Sequence, residues 1–181
     1  NNKNLIDRAQ IIRQKGTNRV TFDEGKADKY SWIDIGSSYL SGELISAFLF
    51  AQLEEAESIT KRRLELWRTY HDAFKNLAKD GICEIPRKYD HITHNGHIFY
   101  LILKNKTQRD LFIDRMKQKK INCVFHYIPL HNSLAGKTYG RISGNMKNTE
   151  NISDQLVRMP LWINLDIDRV ISSTIELLKK I

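Results

Sequence analysis

Apolar residues recur at helical spacing through much of the first half of the chain. Residues 4–14 gather their apolar side chains on one face, which predicts a helix that Gly16 ends. The same period runs through residues 41–79, and because that is long for a globular helix we expect a break near residues 55–58. Between the two helices, residues 17–40 show no sustained period. They predict a long loop, and loops of such length are usually functional or disordered.

The second half of the chain alternates strand and helix patterns. Thr107 and Asp110 form a capping box, which indicates a helix start. In chain order the pattern predicts a strand over 97–103, a capped helix over 107–119 and a second strand over 121–125. A Gly- and Asn-rich loop over 132–148 follows, then a short helix from Thr149 and a closing helix capped by Asp166. This order predicts a small α+β domain with helices packed against one sheet. The long helix connects this domain to the first part of the chain.

Composition places the chain among globular proteins. It has 181 residues, 41% hydrophobic and 28% charged, close to the usual averages. Its apolar runs are too short for a membrane span and no signal peptide opens it, so we expect no membrane partner. Two cysteines, Cys83 and Cys123, fit free thiols in a reducing cytoplasm. Because the sequence opens on Asn1 and enters a helix as if in mid-turn, we expect a piece of a longer protein.

The charge balance favours anionic partners. The net charge is +8, from 29 basic and 21 acidic residues. The densest basic clusters, 61–63 and 117–120, fall inside predicted helices, where a solvated face is the commoner origin. A nucleic-acid-binding module needs aromatic residues interleaved with the basic ones on one face, and neither basic cluster contains an aromatic residue. We therefore expect no nucleic-acid partner, and a non-catalytic scaffold remains the other alternative.

Three histidines, His91, His94 and His97, suggest a metal cluster, since imidazole is a common zinc ligand. Their spacing, however, fits neither a helical pair nor a known zinc module. We interpret this stretch as a surface loop ahead of a strand and predict no metal site.

The segment from Phe125 to His131 has a different character. Two histidines, His126 and His131, and Tyr127 directly follow a predicted strand, and Pro129 bends the chain between them. Strand ends commonly present side chains to ligands. The alternative is that both histidines only form hydrogen bonds within the turn. The chain has no Gly-rich phosphate loop, paired carboxylate motif or nucleophile elbow, so the pattern alone gives no complete catalytic set.

Several segments, taken together, resemble the DegT–DnrJ family of sugar aminotransferases, and their order and spacing match across essentially the whole chain. The segments are Arg13 to Arg19, Asp28 to Trp32, Asp34 to Leu40, Ala51 to Glu54, His126 to His131, and Pro160-Leu161.

The resemblance implies a type I fold that depends on pyridoxal phosphate (PLP), in which residues 1–55 end the large domain and residues 56–181 form the small domain. It implies a cytoplasmic homodimer with active sites shared between subunits. The implied reaction moves an amino group from glutamate to C4 of a dTDP-4-keto-6-deoxyhexose, for bacterial surface polysaccharide. The family's cofactor lysine lies upstream of Asn1, so we assign no catalytic residue and predict that this chain alone is inactive.

The resemblance also implies binding residues. Those expected at the cofactor phosphate are Ser37, Ser38 and Tyr39. Those expected at the nucleotide sugar are Lys15, Arg19, Tyr30, His126, Tyr127 and His131. Ser38 stands where many relatives have asparagine, and Leu40 where they have arginine. A serine hydroxyl can still donate to phosphate.

Overall fold

The computed structural model describes residues 2–181, which form two compact units, one ending at Glu55 and the other spanning Ala56–Ile181. The first unit is helical. After a short 3-10 helix, Lys3–Leu5, it contains α1 (Ile6–Arg13), α2 (Arg19–Asp23) and α3 (Glu43–Glu54). The first predicted helix is confirmed with a shorter span. The prediction of an uninterrupted loop over residues 17–40 is wrong at α2, whose five residues are too short to show a helical period.

Helix α3 is apolar on every side, with the sequence ELISAFLFAQLE, and none of its residues is buried within the described chain. Leu44 is 88% exposed and Phe48 71%. The predicted break is confirmed, because α3 ends at Glu54 and α4 begins at Ala56. Among the helices of residues 2–181, none combines the length and the apolar character that crossing a bilayer requires.

The second unit begins with the long helix α4 and encloses a small antiparallel sheet. Its helices are α4 (Ala56–Lys79), α5 (Lys106–Gln118), α6 (Leu134–Tyr139), α7 (Lys147–Gln155) and α8 (Ile167–Leu178). Its strands are β1 (Phe99–Ile102), β2 (Val124–Phe125) and β3 (Leu156–Met159), in the spatial order β1-β3-β2.

One face of this sheet forms the core with the helices. Phe99 is fully buried, and its ring centroid lies 5.0 Å from that of Tyr70 on α4. The inward residues of β3, Val157 and Met159, are also buried, whereas Leu156 and Arg158, which point to the opposite face, are only half-buried. Helices therefore cover one side of the sheet, as the sequence predicts, and the other side is partly open.

Three sequence predictions need correction in this unit. The N-cap of α5 is Asn105, whose side chain accepts a hydrogen bond of 2.9 Å from the Gln108 amide; Thr107 therefore lies inside the helix and forms no capping box. The segment predicted as loop contains the six-residue helix α6, capped by Ser133. No strand was predicted at β3, although it is the centre of the sheet. The cap of α8 by Asp166 is confirmed, and Cys83 and Cys123 are free and buried.

Candidate functional site

The residues predicted to bind the cofactor lie in the first unit, against the end of α1. Lys15 and Gly16 follow that helix with φ angles of 63° and 76°, in the left-handed region. Gly36 passes so close that a Cβ on it would meet the Gly16 amide nitrogen. The two segments that cross here need glycine at both positions, because any side chain would force them apart. This close crossing determines the path of residues 33–39.

Backbone hydrogen bonds hold the serine segment beside this turn. The Ser37 amide donates to Ile12 (2.9 Å), and the Lys15 amide donates to the Ser37 carbonyl (3.1 Å). Ser38 pairs with Gln14 in an isolated antiparallel bridge. The structure thus places Lys15, which the sequence assigned to the nucleotide sugar, next to Ser37 and Ser38, which it assigned to the cofactor phosphate.

The side chains of this group are available to a ligand. Lys15, Ser37 and Ser38 are exposed, and Tyr39 is 69% exposed. Within residues 2–181, neither serine hydroxyl has a hydrogen-bond partner. The two serine hydroxyls suit a phosphate, which accepts several hydrogen bonds, and the Lys15 ammonium suits the negative charge of a diphosphate. The serine pair therefore fits the phosphate of PLP.

Arg19 and Tyr30 lie elsewhere in the first unit, around α2. The Arg19 Nε is 3.4 Å from an Asp23 carboxylate oxygen, and both side chains are exposed. The Tyr30 ring packs against Phe22, with centroids 6.2 Å apart. Across the described part of the chain, no hydrogen bond or ring contact joins Arg19 or Tyr30 to the serine pair.

In the second unit, His126 and Tyr127 directly follow β2, where the sequence predicted a strand end. Their rings are 5.2 Å apart in an edge-to-face arrangement. The Tyr127 carbonyl accepts a hydrogen bond of 3.3 Å from the Ser153 hydroxyl of α7, and its side chain is 74% exposed. The His126 Nδ1 atom is buried and has no hydrogen-bond partner among residues 2–181. A buried polar atom left unpaired in this way calls for a ligand or a water.

His131 has a different environment. It lies in a 3-10 helix, Leu130–Asn132, and its Nε2 is 3.0 Å from the Glu150 carboxylate on α7. Its side chain is only 13% exposed. The alternative interpretation, in which a histidine mainly stabilises the turn, therefore suits His131 better than His126.

One side chain next to this turn was not identified from the sequence. Arg158 lies on the central strand β3, opposite Tyr100 and Val124. Its guanidinium carbon is 5.6 Å from the centroid of the Tyr127 ring. The alternation Leu-Val-Arg-Met at 156–159 was the available signal, but four residues between a helix and a proline are too few to assert a strand.

The three histidines ahead of β1 do not converge. The His94 ring lies 4.4 Å from that of Trp67, and its Nδ1 accepts from the Gly96 amide. His91 lies beside Tyr89. Over residues 2–181 there is no group of three histidine, cysteine or carboxylate side chains that could hold a metal ion.

Comparison with known proteins shows the family. Residues 1–175 match the model of the DegT/DnrJ/EryC1/StrS aminotransferase family. The chain belongs to this family. Its members are PLP-dependent sugar aminotransferases, typically dimeric.

Relatives of this family member are distant in sequence and close in fold. An uncharacterised protein of Methanocaldococcus jannaschii is 27% identical over 99% of the chain and 47% of its own length. The UDP-4-amino-4-deoxy-L-arabinose–oxoglutarate aminotransferase of Shewanella sediminis is 24% identical over 96% of the chain and 48% of its own length. The chain thus spans about half the length of the curated relatives it matches.

Solved structures give the same picture of the fold. PseC of Helicobacter pylori, an aminotransferase of pseudoaminic acid biosynthesis, has a TM-score of 0.83 at 18% identity, over 100% of this chain and 48% of its own. DesV of S. venezuelae has a TM-score of 0.81 at 21% identity, over 99% of this chain and 46% of its own. The predicted fold class is confirmed: the chain has the α/β fold of part of these aminotransferases, with a long helix followed by a small sheet that helices cover on one side.

Proposed function

We propose that this chain is the C-terminal portion of a dTDP-4-amino-4,6-dideoxygalactose transaminase. The complete enzyme moves an amino group from glutamate to C4 of a dTDP-4-keto-6-deoxyhexose in the cytoplasm, for bacterial surface polysaccharide. The observation that carries the sugar-nucleotide role is the turn after β2, where a buried His126 nitrogen, without a hydrogen-bond partner among the described residues, lies beside the exposed phenol of Tyr127. Imidazole and phenol groups exchange hydrogen bonds with sugar hydroxyls and phosphates, which suits this substrate.

In this proposal the two units of the chain have different roles. Residues 1–55 complete the large domain, and residues 56–181 are the small domain. Ser37 and Ser38 lie near the two-fold axis of a homodimer and donate to the cofactor phosphate of the other subunit, with Tyr39 beside them. Bound PLP supplies an electron sink for amino transfer, while the residues of this chain bind and orient the reactants. Lys15, Arg19 and Tyr30 contribute contacts to the nucleotide sugar.

A basic nucleic-acid-binding module is not favoured by any contact on the described surface. In the basic cluster at 117–120, Lys119 is paired with Glu176 at 2.7 Å. In the other cluster Arg63 donates to the carbonyls of Gly96 and His97, which is a structural role. Paired and structural cations contribute little to a phosphate-binding surface.

The test uses the full-length protein that carries this chain, with glutamate and dTDP-4-keto-6-deoxyglucose, and follows release of 2-oxoglutarate. We expect His126→Ala to raise KM for the nucleotide sugar by about tenfold, corresponding to one lost buried hydrogen bond, and to leave KM for glutamate within twofold. His131→Ala, which loses a group already paired with Glu150, should act in the same direction with a smaller effect.

His91→Ala is the matched control, because His91 is an exposed histidine in the loop ahead of β1. It should leave both KM values unchanged. Absence of 2-oxoglutarate with the wild-type protein would refute the proposed reaction. Equal losses toward both substrates in His126→Ala would refute the role of the turn.

A further inference from the structure

Arg158 is a cation in the middle of the sheet that has no acidic partner within residues 2–181. Its side chain is half-buried, and its buried Nε atom has no hydrogen-bond acceptor in the part of the chain that the structure describes. Folding a guanidinium into a protein without pairing it costs free energy, so an unpaired one on a regular strand requires an explanation. An anion that binds there from solution provides one.

The surroundings of Arg158 are built for such a ligand. The Tyr127 ring flanks the guanidinium on one side, which holds the planar group in place without using its N–H donors. Tyr100 is directly opposite Arg158 on β1, and directly opposed residues share a face of the sheet. Burial raises the pKa of the Tyr100 phenol, so it stays protonated and able to donate. The His126 ring lies 5.2 Å from that of Tyr127, and its buried Nδ1 also has no hydrogen-bond partner within residues 2–181.

We propose that Arg158 binds an oxyanion of one of the two reactants on the open face of the sheet beside Tyr127. The oxyanion is either the diphosphate of the nucleotide sugar or a carboxylate of the amino donor, and naming these two reactants rests on the proposed function. The Nε–H and a terminal N–H of a guanidinium lie side by side and match two oxygens of either group. Arg158 is thus a binding residue for the reaction, distinct from the residues predicted from the sequence.

The test follows the Arg158 Nε–H directly by NMR. The 181-residue chain is prepared with 15N-labelled arginine, and the signal that disappears in Arg158→Lys identifies Arg158. Sodium pyrophosphate and sodium glutamate are then titrated separately at constant ionic strength. We expect one of them to shift the Arg158 signal in a saturable manner, and which one does so distinguishes diphosphate from carboxylate.

Two variants make the result quantitative. Arg158→Gln should weaken binding of that anion by at least about tenfold, as expected for loss of a charge-assisted bidentate contact. Arg68→Gln removes the same charge from an exposed position on α4 and should leave the affinity within twofold. Far-UV circular dichroism verifies that each variant is folded. If Arg158→Gln is not, Arg158→Lys takes its place, since it retains the charge and loses the bidentate geometry.

Two results would overturn the assignment: an Arg158 signal that moves with neither anion, or an equal loss of affinity in Arg68→Gln. Failure of the proposed function is distinguishable, because a saturable shift of Arg158 in the 181-residue chain, together with no amino transfer by the full-length protein, leaves the anion site standing. Conversely, active full-length enzyme whose KM values are unchanged by Arg158→Lys refutes the role of Arg158 alone.

Discussion

Replacing Tyr70 by phenylalanine tests how the end of β3 is held. The Tyr70 hydroxyl donates to the Pro160 carbonyl at 2.9 Å, and both residues are buried. Pro160 follows β3 directly, so this hydrogen bond ties the central strand to α4. The ring of a phenylalanine would keep its contacts with Phe74 and Phe99, at 5.6 and 5.0 Å, and would leave no cavity. The substitution therefore isolates one buried hydrogen bond.

The loss of folding free energy in Tyr70→Phe can be estimated from that geometry. The Pro160 carbonyl is left buried and unpaired, which destabilises a protein by about 1–3 kcal/mol. Because the free energy of unfolding falls by about 2 kcal/mol per molar urea, the urea concentration at the unfolding midpoint should fall by roughly 0.5–1.5 M. The change in tryptophan fluorescence reports the unfolding of this unit, because Trp67 is 4% exposed and packs edge-on against Phe99, whereas Trp32 and Trp162 are already exposed in the folded chain.

Tyr139→Phe is the matched control, because Tyr139 is 88% exposed. It should shift the midpoint by no more than about 0.25 M, as surface substitutions usually change stability by less than 0.5 kcal/mol. Equal midpoints for the two variants, at an unchanged urea dependence, would show that the hydrogen bond to Pro160 does not stabilise this unit.

Three further predictions concern titration and the cofactor. Burial raises the pKa of the Cys123 thiol to about 12, so iodoacetamide at pH 8 should modify it at least about tenfold more slowly in the folded chain than in urea, and equal rates would contradict the structure. Hydrogen bonds from Lys119 and a second lysine lower the pKa of Glu176 from 4.5 to about 2. A carboxyl group with a lowered pKa stabilises the fold at pH values above its ordinary pKa, and this stabilisation is lost as the pH falls toward 2. Glu176→Gln should therefore make the free energy of unfolding depend less on pH between 4.5 and 2. An unchanged pH dependence would refute the pairing. In the full-length protein, replacing Ser37 and Ser38 by alanine should weaken PLP retention by about 1–3 kcal/mol, measured by equilibrium dialysis, and unchanged retention would remove them from the phosphate site.

The parts of the fold with a long period were predictable from the sequence. The helical pattern through residues 41–79 is longer than one helix of a globular protein usually is, and the helix is indeed interrupted at Glu55. Short elements were not, because tertiary contacts determine them. β3 is a strand because it pairs with β1 and β2 at once, and no window of four residues contains that information.

The candidate site shows the same limit. His126 and Tyr127 could be identified because a strand end followed by aromatic polar residues is visible locally. Arg158 could not, since its importance depends on the register that sets it beside Tyr127. The α5 cap was mispredicted because Asn105 competes with Thr107 for the same role, and the Asn105 side chain reaches the Gln108 amide.

The all-round apolar character of α3 governs how this chain behaves in a test tube. Large side chains such as Leu44, Phe48 and Phe50, exposed by 88%, 71% and 65%, each forgo about 1.5–3 kcal/mol of favourable transfer out of water. Fluorescent dyes that report apolar surface will therefore bind the natively folded chain. Its association will strengthen on warming from ice temperature, because the hydrophobic effect weakens in the cold. Purification of the chain is accordingly best done cold, dilute and without sulfate, which favours burial of such surface.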